Sequence, residues 1–211
     1  MIPVKICGIT RLEDARLAAD LGAAALGFIC YPLSPRYVSP ENARAIIDEL
    51  DPSVRKVGVF VDAPPHEINA VARKLGLDMA QLSGSESPEA CGQIDVPVIK
   101  AFRIGLDFNT AATLPFQVHA LLLDSYNANL YGGTGEAFDW SRIDRDAFTR
   151  PFILSGGLRA ENILDGIEVL HPQAVDVSSG VEATPGVKDP AKLKRLFSLL
   201  GDTQDVSERI F

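Results

Sequence analysis

Several things are scarce or missing in this chain of 211 residues. No apolar run approaches the length needed to cross a bilayer, so a membrane span is excluded as an expectation. No run of lysine and arginine occurs and the formal net charge is −8, which argues against a nucleic-acid partner. An anionic small molecule stays open as a ligand, provided that its site supplies local positive groups against a repulsive overall field. Cysteine is limited to Cys7, Cys30 and Cys91, an odd number without the paired spacing of a disulfide framework or a zinc site. The histidines, His66, His119 and His171, are scattered and form no metal-ligand pattern. The first residues carry no charged, apolar and small-residue signal pattern. The chain is therefore expected in the reducing cytoplasm.

What is present is a regular alternation. Short apolar runs rich in β-formers fall at 3–7, 25–29, 56–61, 79–82, 98–102, 120–124, 152–154 and 174–177. Between them, apolar residues recur at helical spacing, as in Ala43, Ile46, Ile47 and Leu50, or Leu193, Leu196, Phe197 and Leu200. Ser39-Pro40, Ser87-Pro88 and Asp189-Pro190 each put an N-cap residue ahead of a proline at the first helical position. Thr10 with Glu13 reads as a capping box. The helices after the fourth and fifth strands are the least regular, interrupted by Gly92 and Pro115. Strand–helix alternation predicts parallel pairing with helices outside. Eight such units predict an α/β fold, a single (β/α)8 TIM barrel, with a doubly wound open sheet as the competitor. The expected organisation is a catalytic barrel over 1–201 and a polar tail over 202–211, frayed or loosely docked.

Alternation of side chains along a strand then picks out candidates for chemistry. In KICGIT (5–10), Val4 and Ile6 face helices while Lys5 and Cys7 face the barrel interior, Cys7 at the C-terminal mouth where barrel active sites lie. A neighbouring ammonium and a following helix N-terminus favour a thiolate there. The alternative is a small buried hydrophobe. In LLLDSY (121–126) the same parity turns Asp124 inward, with a helix cap or a solvated loop carboxylate as alternatives. A long loop with GGTG (132–135) follows, either a cover for a ligand or a turn. LSGGL (154–158) and DVSSGVE (176–182) end the last two strands, where barrel phosphate sites form from backbone N–H groups. Arg36, in SPRYVSP (34–40), hangs over the same face with a fork suited to carboxylate or phosphate, unless it is simply solvated.

Taken together, KICGIT, SPRYV, the Asp124 strand end, GGTGEAFDW, LSGGL, DVSSGVE and PGVKD resemble the phosphoribosylanthranilate isomerase family of tryptophan biosynthesis. They run in the family's order from residue 5 to residue 189. The sequence QLSG (81–84) departs from the pattern, since the family usually has histidine where Ser83 stands. The resemblance implies an Amadori rearrangement of N-(5-phosphoribosyl)anthranilate, with Cys7 as general base and Asp124 as general acid. It implies Arg36, Lys5 and Asp176 around the substrate and Gly156, Gly157, Ser179 and Gly180 around its phosphate. Two titrating groups suffice for this chemistry, so neither cofactor nor metal is expected. The expected partner is a small anionic phosphosugar, with no nucleic acid and no membrane, and the chain is expected as a monomer or homodimer. A histidine-pathway aminoaldose isomerase is the nearest rival, but it carries an aspartate where Cys7 stands. A lyase or synthase barrel, or a phosphate-sensing protein, would keep the clamp without the Cys7/Asp124 pair.

Overall fold

The computed structural model describes residues 1–104, 108–124, 140, 143–201 and 210–211. Eight parallel strands close into a barrel: β1 Val4–Cys7, β2 Ala25–Ile29, β3 Arg55–Phe60, β4 Met79–Leu82, β5 Val98–Arg103, β6 Ala120–Asp124, β7 Phe152–Ser155 and β8 Ala174–Val177. Closure comes from β1 pairing with both β2 and β8, through Lys5↔Ala25 and Lys5↔Asp176. The open-sheet alternative is thereby excluded.

The helices α1 Leu12–Asp20, α2 Pro40–Ile47, α3 Pro65–Leu75, α4 Pro88–Cys91, α5 Ile163–Leu170 and α6 Pro190–Leu200 lie outside the strands. Three begin as the sequence dictates. The side chains of Ser39, Ser87 and Asp189 each accept a hydrogen bond from the first-turn backbone, ahead of proline. The capping box at α1 is a correction. The helix starts at Leu12 with Arg11 at the N-cap, and the Thr10 hydroxyl donates to the Gly186 carbonyl, across the mouth rather than along the helix. Gly92 ends α4 after one turn, and among the described residues between β5 and Pro115 a 3-10 turn, Thr110–Thr113, forms.

Strand parity divides the core in two. Val4, Ile6, Leu121, Leu123, Leu154 and Val175 face outward and pack with the helices. Ala25, Val57, Met79, Ile99, Leu122 and Ile153 face inward and fill the barrel. Ile210 joins this inner layer, and His119 Nε2 donates to its carbonyl at 2.9 Å. The chain end is thus docked at Ile210, whereas 202–209 lie outside the described residues. A short hairpin, β9 Glu182–Thr184 with β10 Val187–Lys188, follows β8 and returns Lys188 beneath the mouth.

Candidate active site

The C-terminal mouth of the barrel holds a cavity of about 900 Å³ whose lining includes Cys7, Arg36, Gln81, Asp124, Ser155 and Asp176. Cys7 ends β1 and Asp124 ends β6, so inward parity at two strand ends brings the thiol and the carboxyl to one cavity. Gly27 on β2 makes room for this arrangement. A Cβ there would sit 2.8 Å from Cys7 Sγ and 3.1 Å from Lys5 Nζ.

Lys5 has no exposed surface. Its Nζ donates to Asp176 Oδ1 at 2.8 Å, and Asp176 Oδ2 accepts from the Ser155 hydroxyl at 3.3 Å. Lys5 therefore lies under the site and does not line it, unlike the expectation that it surrounds the substrate. Its ammonium instead touches Asp176 and bears electrostatically on Cys7. Burial depresses the basicity of Lys5, but Asp176 and Cys7 outweigh it, and its pKa is raised.

Cys7 departs from the expected thiolate. Burial is the largest influence and pushes the thiol up; Lys5 opposes it, Asp176 reinforces it and Lys188 opposes it, with a net rise. The helix expected to help begins only at Leu12. The Asp124 carboxyl is shifted upward: burial raises its pKa, Asp176 raises it further, and Arg103 pulls the other way.

Arg36 crosses the mouth to Glu182. Its Nε donates to Oε1 at 2.9 Å and its Nη2 to Oε2 at 2.7 Å. Its side chain remains 23% exposed at the cavity wall. Its fork is held from one side rather than dangling in solvent. Glu182 also accepts from Lys188 Nζ at 3.0 Å and from the Gly186 N–H at 3.2 Å. Burial pushes the Glu182 carboxyl up, but the Arg36 and Lys188 cations more than reverse this and hold it below the usual range. Lys188, fully buried, also donates to the Cys7 carbonyl at 2.6 Å. Neither Glu182 nor Lys188 stood out by spacing. Their only sequence signal is membership of the DVSSGVE and PGVKD motifs, since nothing local shows that β10 folds back under Cys7.

The proposed phosphate residues sit beside the mouth. Gly157, Ser179 and Gly180 line a neighbouring depression of about 390 Å³ with Arg159, Lys192 and Arg195. Gly156 and Gly157 both have positive φ, 91° and 62°, so the turn after β7 is one that glycine adopts readily. Gly180 is required for closeness instead: a Cβ there would fall 1.9 Å from the Leu158 carbonyl oxygen. The GGTG stretch lies outside the described residues.

On the opposite wall, Lys100 Nζ donates to Glu86 Oε2 at 2.8 Å and to the Leu82 and Gly84 carbonyls. Gln81, Ser83 and Lys100 were not expected to carry chemistry, and all three line the cavity.

Comparison with known proteins accords with this geometry. Residues 4–198 match the family model for N-(5'-phosphoribosyl)anthranilate (PRA) isomerase. The N-(5'-phosphoribosyl)anthranilate isomerase of Pelobacter propionicus is 44% identical over 209 residues, covering 99% of this chain and 100% of the relative. The crystal structure of phosphoribosyl anthranilate isomerase from Thermotoga maritima superposes with a TM-score of 0.88 at 46% identity, covering 96% of this chain and 100% of that one. A second structure of such an isomerase, in complex with reduced 1-(o-carboxyphenylamino)-1-deoxyribulose 5-phosphate, gives a TM-score of 0.85 at 44% identity, with coverage of 96% and 100%. The chain belongs to the N-(5'-phosphoribosyl)anthranilate isomerase family of tryptophan biosynthesis.

Proposed function

We propose that this chain isomerises N-(5'-phosphoribosyl)anthranilate with Asp124 as general acid and Cys7 as general base. The observation that carries the reading is the meeting of these two groups, from the ends of β6 and β1, in one cavity of about 900 Å³. Asp124 gives a proton to the furanose ring oxygen. The C1–O bond breaks, and the nitrogen lone pair forms a C1=N iminium. Cys7 removes the C2 hydrogen as a proton, and the electrons left behind form C1=C2 and neutralise the iminium. The resulting enolamine gains a proton at C1 and loses its hydroxyl proton to become the C2 ketone. Atoms and oxidation state are conserved overall, so acid–base chemistry suffices.

A raised Asp124 pKa suits a proton donor. A raised Cys7 pKa means that the reactive thiolate is a minority species in the free enzyme. Lys5 is a positioning residue that draws Cys7 back toward ionisation. Arg36 takes the anthranilate carboxylate while Glu182 keeps the guanidinium plane fixed. The phosphate binds at Gly156, Gly157, Ser179 and Gly180, and the adjacent Arg159, Lys192 and Arg195 offset the repulsion of a chain with net charge −8. The three thiols are all free, which supports a cytoplasmic setting.

The test is turnover by the purified chain of N-(5'-phosphoribosyl)anthranilate and, separately, of the histidine-pathway aminoaldose. Conversion of the first substrate alone is expected. Conversion of the second alone would transfer the reading to the rival isomerase class.

A further inference from the structure

Gln81 is one of the polar groups of the mouth that the acid–base scheme leaves unused. It lies on β4 two residues after Met79, so parity turns it inward above the apolar layer. Only 5% of its surface is exposed, and it lines the same cavity as Cys7 and Asp124. Its Nε2 donates to the Ser83 hydroxyl at 3.1 Å. Its Oε1 is buried and has no hydrogen-bond partner among the described residues. A buried carbonyl without a donor is destabilising, and native proteins keep few of them.

Turning the amide over would pair Oε1 with the Ser83 hydroxyl but leave Nε2 unpaired instead, so one end of the amide lacks a partner either way. Across the strands, Gln81 is in register with Val59 and Ile99, both apolar. Lys100, on the neighbouring strand, has its ammonium engaged by Glu86 and by the Leu82 and Gly84 carbonyls. Glu86 accepts from the Asp62 and Gly84 N–H groups, and Asp62 from the Ser85 N–H. The wall's hydrogen bonds thus leave one acceptor unpaired, on a side chain that lines the cavity; the oxygen itself is covered, so the amide must turn to present it to a ligand.

We propose that Gln81 is a substrate-binding residue whose carbonyl accepts a hydrogen bond from an uncharged donor of the bound phosphoribosylanthranilate, on the wall away from Cys7 and Asp124. The inference rests on the functional reading above. An acceptor repels carboxylate and phosphate, so Gln81 reads neither anionic end. It reads the middle of the molecule, where the donors are the anilino N–H and the hydroxyls of the opened ribosyl chain.

The probe is reduced 1-(o-carboxyphenylamino)-1-deoxyribulose 5-phosphate, which carries both kinds of donor. Gln81→Met keeps the length and removes the acceptor. It should bind the probe roughly tenfold more weakly and lose a similar factor in kcat/KM. Its thermal stability should hold or rise, because the unpaired buried carbonyl is gone. A residue with a purely structural role would show the reverse pattern. Gln81→Asn, which keeps the amide but retracts it, provides a second variant and should also lose affinity. Two further ligands separate the donors. With an ether oxygen in place of the anilino N–H, equal binding by the parent and Gln81→Met identifies the N–H. With the C3 hydroxyl removed instead, equal binding identifies the hydroxyl. Parental affinity and parental kcat/KM in both variants overturn the inference. Absence of turnover by the parent chain refutes the functional reading itself, which is a separate result.

Discussion

Two buried ion networks face each other across the mouth, and they do different things. Around β8 and β1, Lys5 pairs with Asp176, and Lys188 pairs with Glu182, which also holds Arg36. Every cation of this set bears on Cys7 or on the cavity: Lys5 and Lys188 lower the proton affinity of the thiol, Lys188 holds its carbonyl, and Arg36 lines the wall. Around β4 and β5, Lys100 pairs with Glu86, both almost fully buried, and the pair ties the Leu82 and Gly84 carbonyls to the Asp62 and Gly84 N–H groups. That network shapes a wall and does not tune the thiol. Similar chemistry thus serves protonation on one side and geometry on the other. Burial alone does not say which; what the ions touch does.

The comparison is broken most severely at the two groups it surrounds. Cys7→Ala and Asp124→Asn should each fold, bind the reduced product analogue and lose about 10²–10⁴ in kcat. Steady-state kinetics with the furanose substrate, alongside analogue titration, checks both. Turnover within a few-fold of the parent in either variant would remove that residue from the acid–base pair.

A pH profile reads the tuning side next. In the proposed scheme the active form carries a protonated Asp124 and an ionised Cys7, and both pKa values are raised. With the thiol above the carboxyl, the profile of kcat/KM is a bell whose acid limb tracks Asp124 and whose alkaline limb tracks Cys7. The plateau between them falls as the two values separate. Lys5→Met removes the strongest influence that holds the thiol down. The plateau should drop about tenfold for each unit by which Cys7 rises, and the alkaline limb should move to higher pH while the acid limb stays. An unchanged alkaline limb would show that Lys5 serves only to neutralise Asp176.

The phosphate loops offer a finer contrast. Gly157 has open space where a Cβ would go, whereas the same atom at Gly180 collides with the Leu158 carbonyl. Gly157→Ala disturbs the protein only through the strain of positive φ, about 1 kcal/mol, and should raise KM less than Gly180→Ala does. Gly180→Ala must push the β7 and β8 loops apart and should raise KM with kcat nearly preserved. Equal KM values in the two variants would detach the phosphate from the contact between these loops.

Parity along short strands was enough to turn Cys7 and Asp124 into one cavity, and to place Lys5 beside Cys7, because a period of two is a local property. The N-caps before proline were legible for the same reason. What escaped depends on distance. Lys188 lies far along the chain from Cys7 and donates to its carbonyl, through a hairpin whose return no local pattern announces. Thr10 looked like a cap until a partner at Gly186 claimed its hydroxyl. The thiolate expected from a nearby lysine ignored burial, which is set by the closed barrel and not by neighbours in sequence. Gln81 reads as an ordinary inward strand residue, and its unpaired oxygen emerges only when every surrounding donor has been assigned.

The smallest effect on turnover belongs to the structural wall. Lys100→Met leaves Glu86 buried without its cation, although the Asp62 and Gly84 N–H groups still reach it. Removing one partner of a buried pair costs about 3–5 kcal/mol, because the other charge stays behind. For a chain of this size that corresponds to a fall in Tm of roughly 6–20 °C. The double variant Lys100→Met with Glu86→Gln removes both charges and should recover much of the loss. Well below the transition, kcat should stay within a few-fold of the parent, and both limbs of the pH profile should stay where they are. Thermal melts and a kcat/KM profile on the same preparation test the two halves together. A displaced alkaline limb in Lys100→Met would mean that this ammonium reaches the thiol across the cavity, and the separation between a tuning side and a supporting side would collapse.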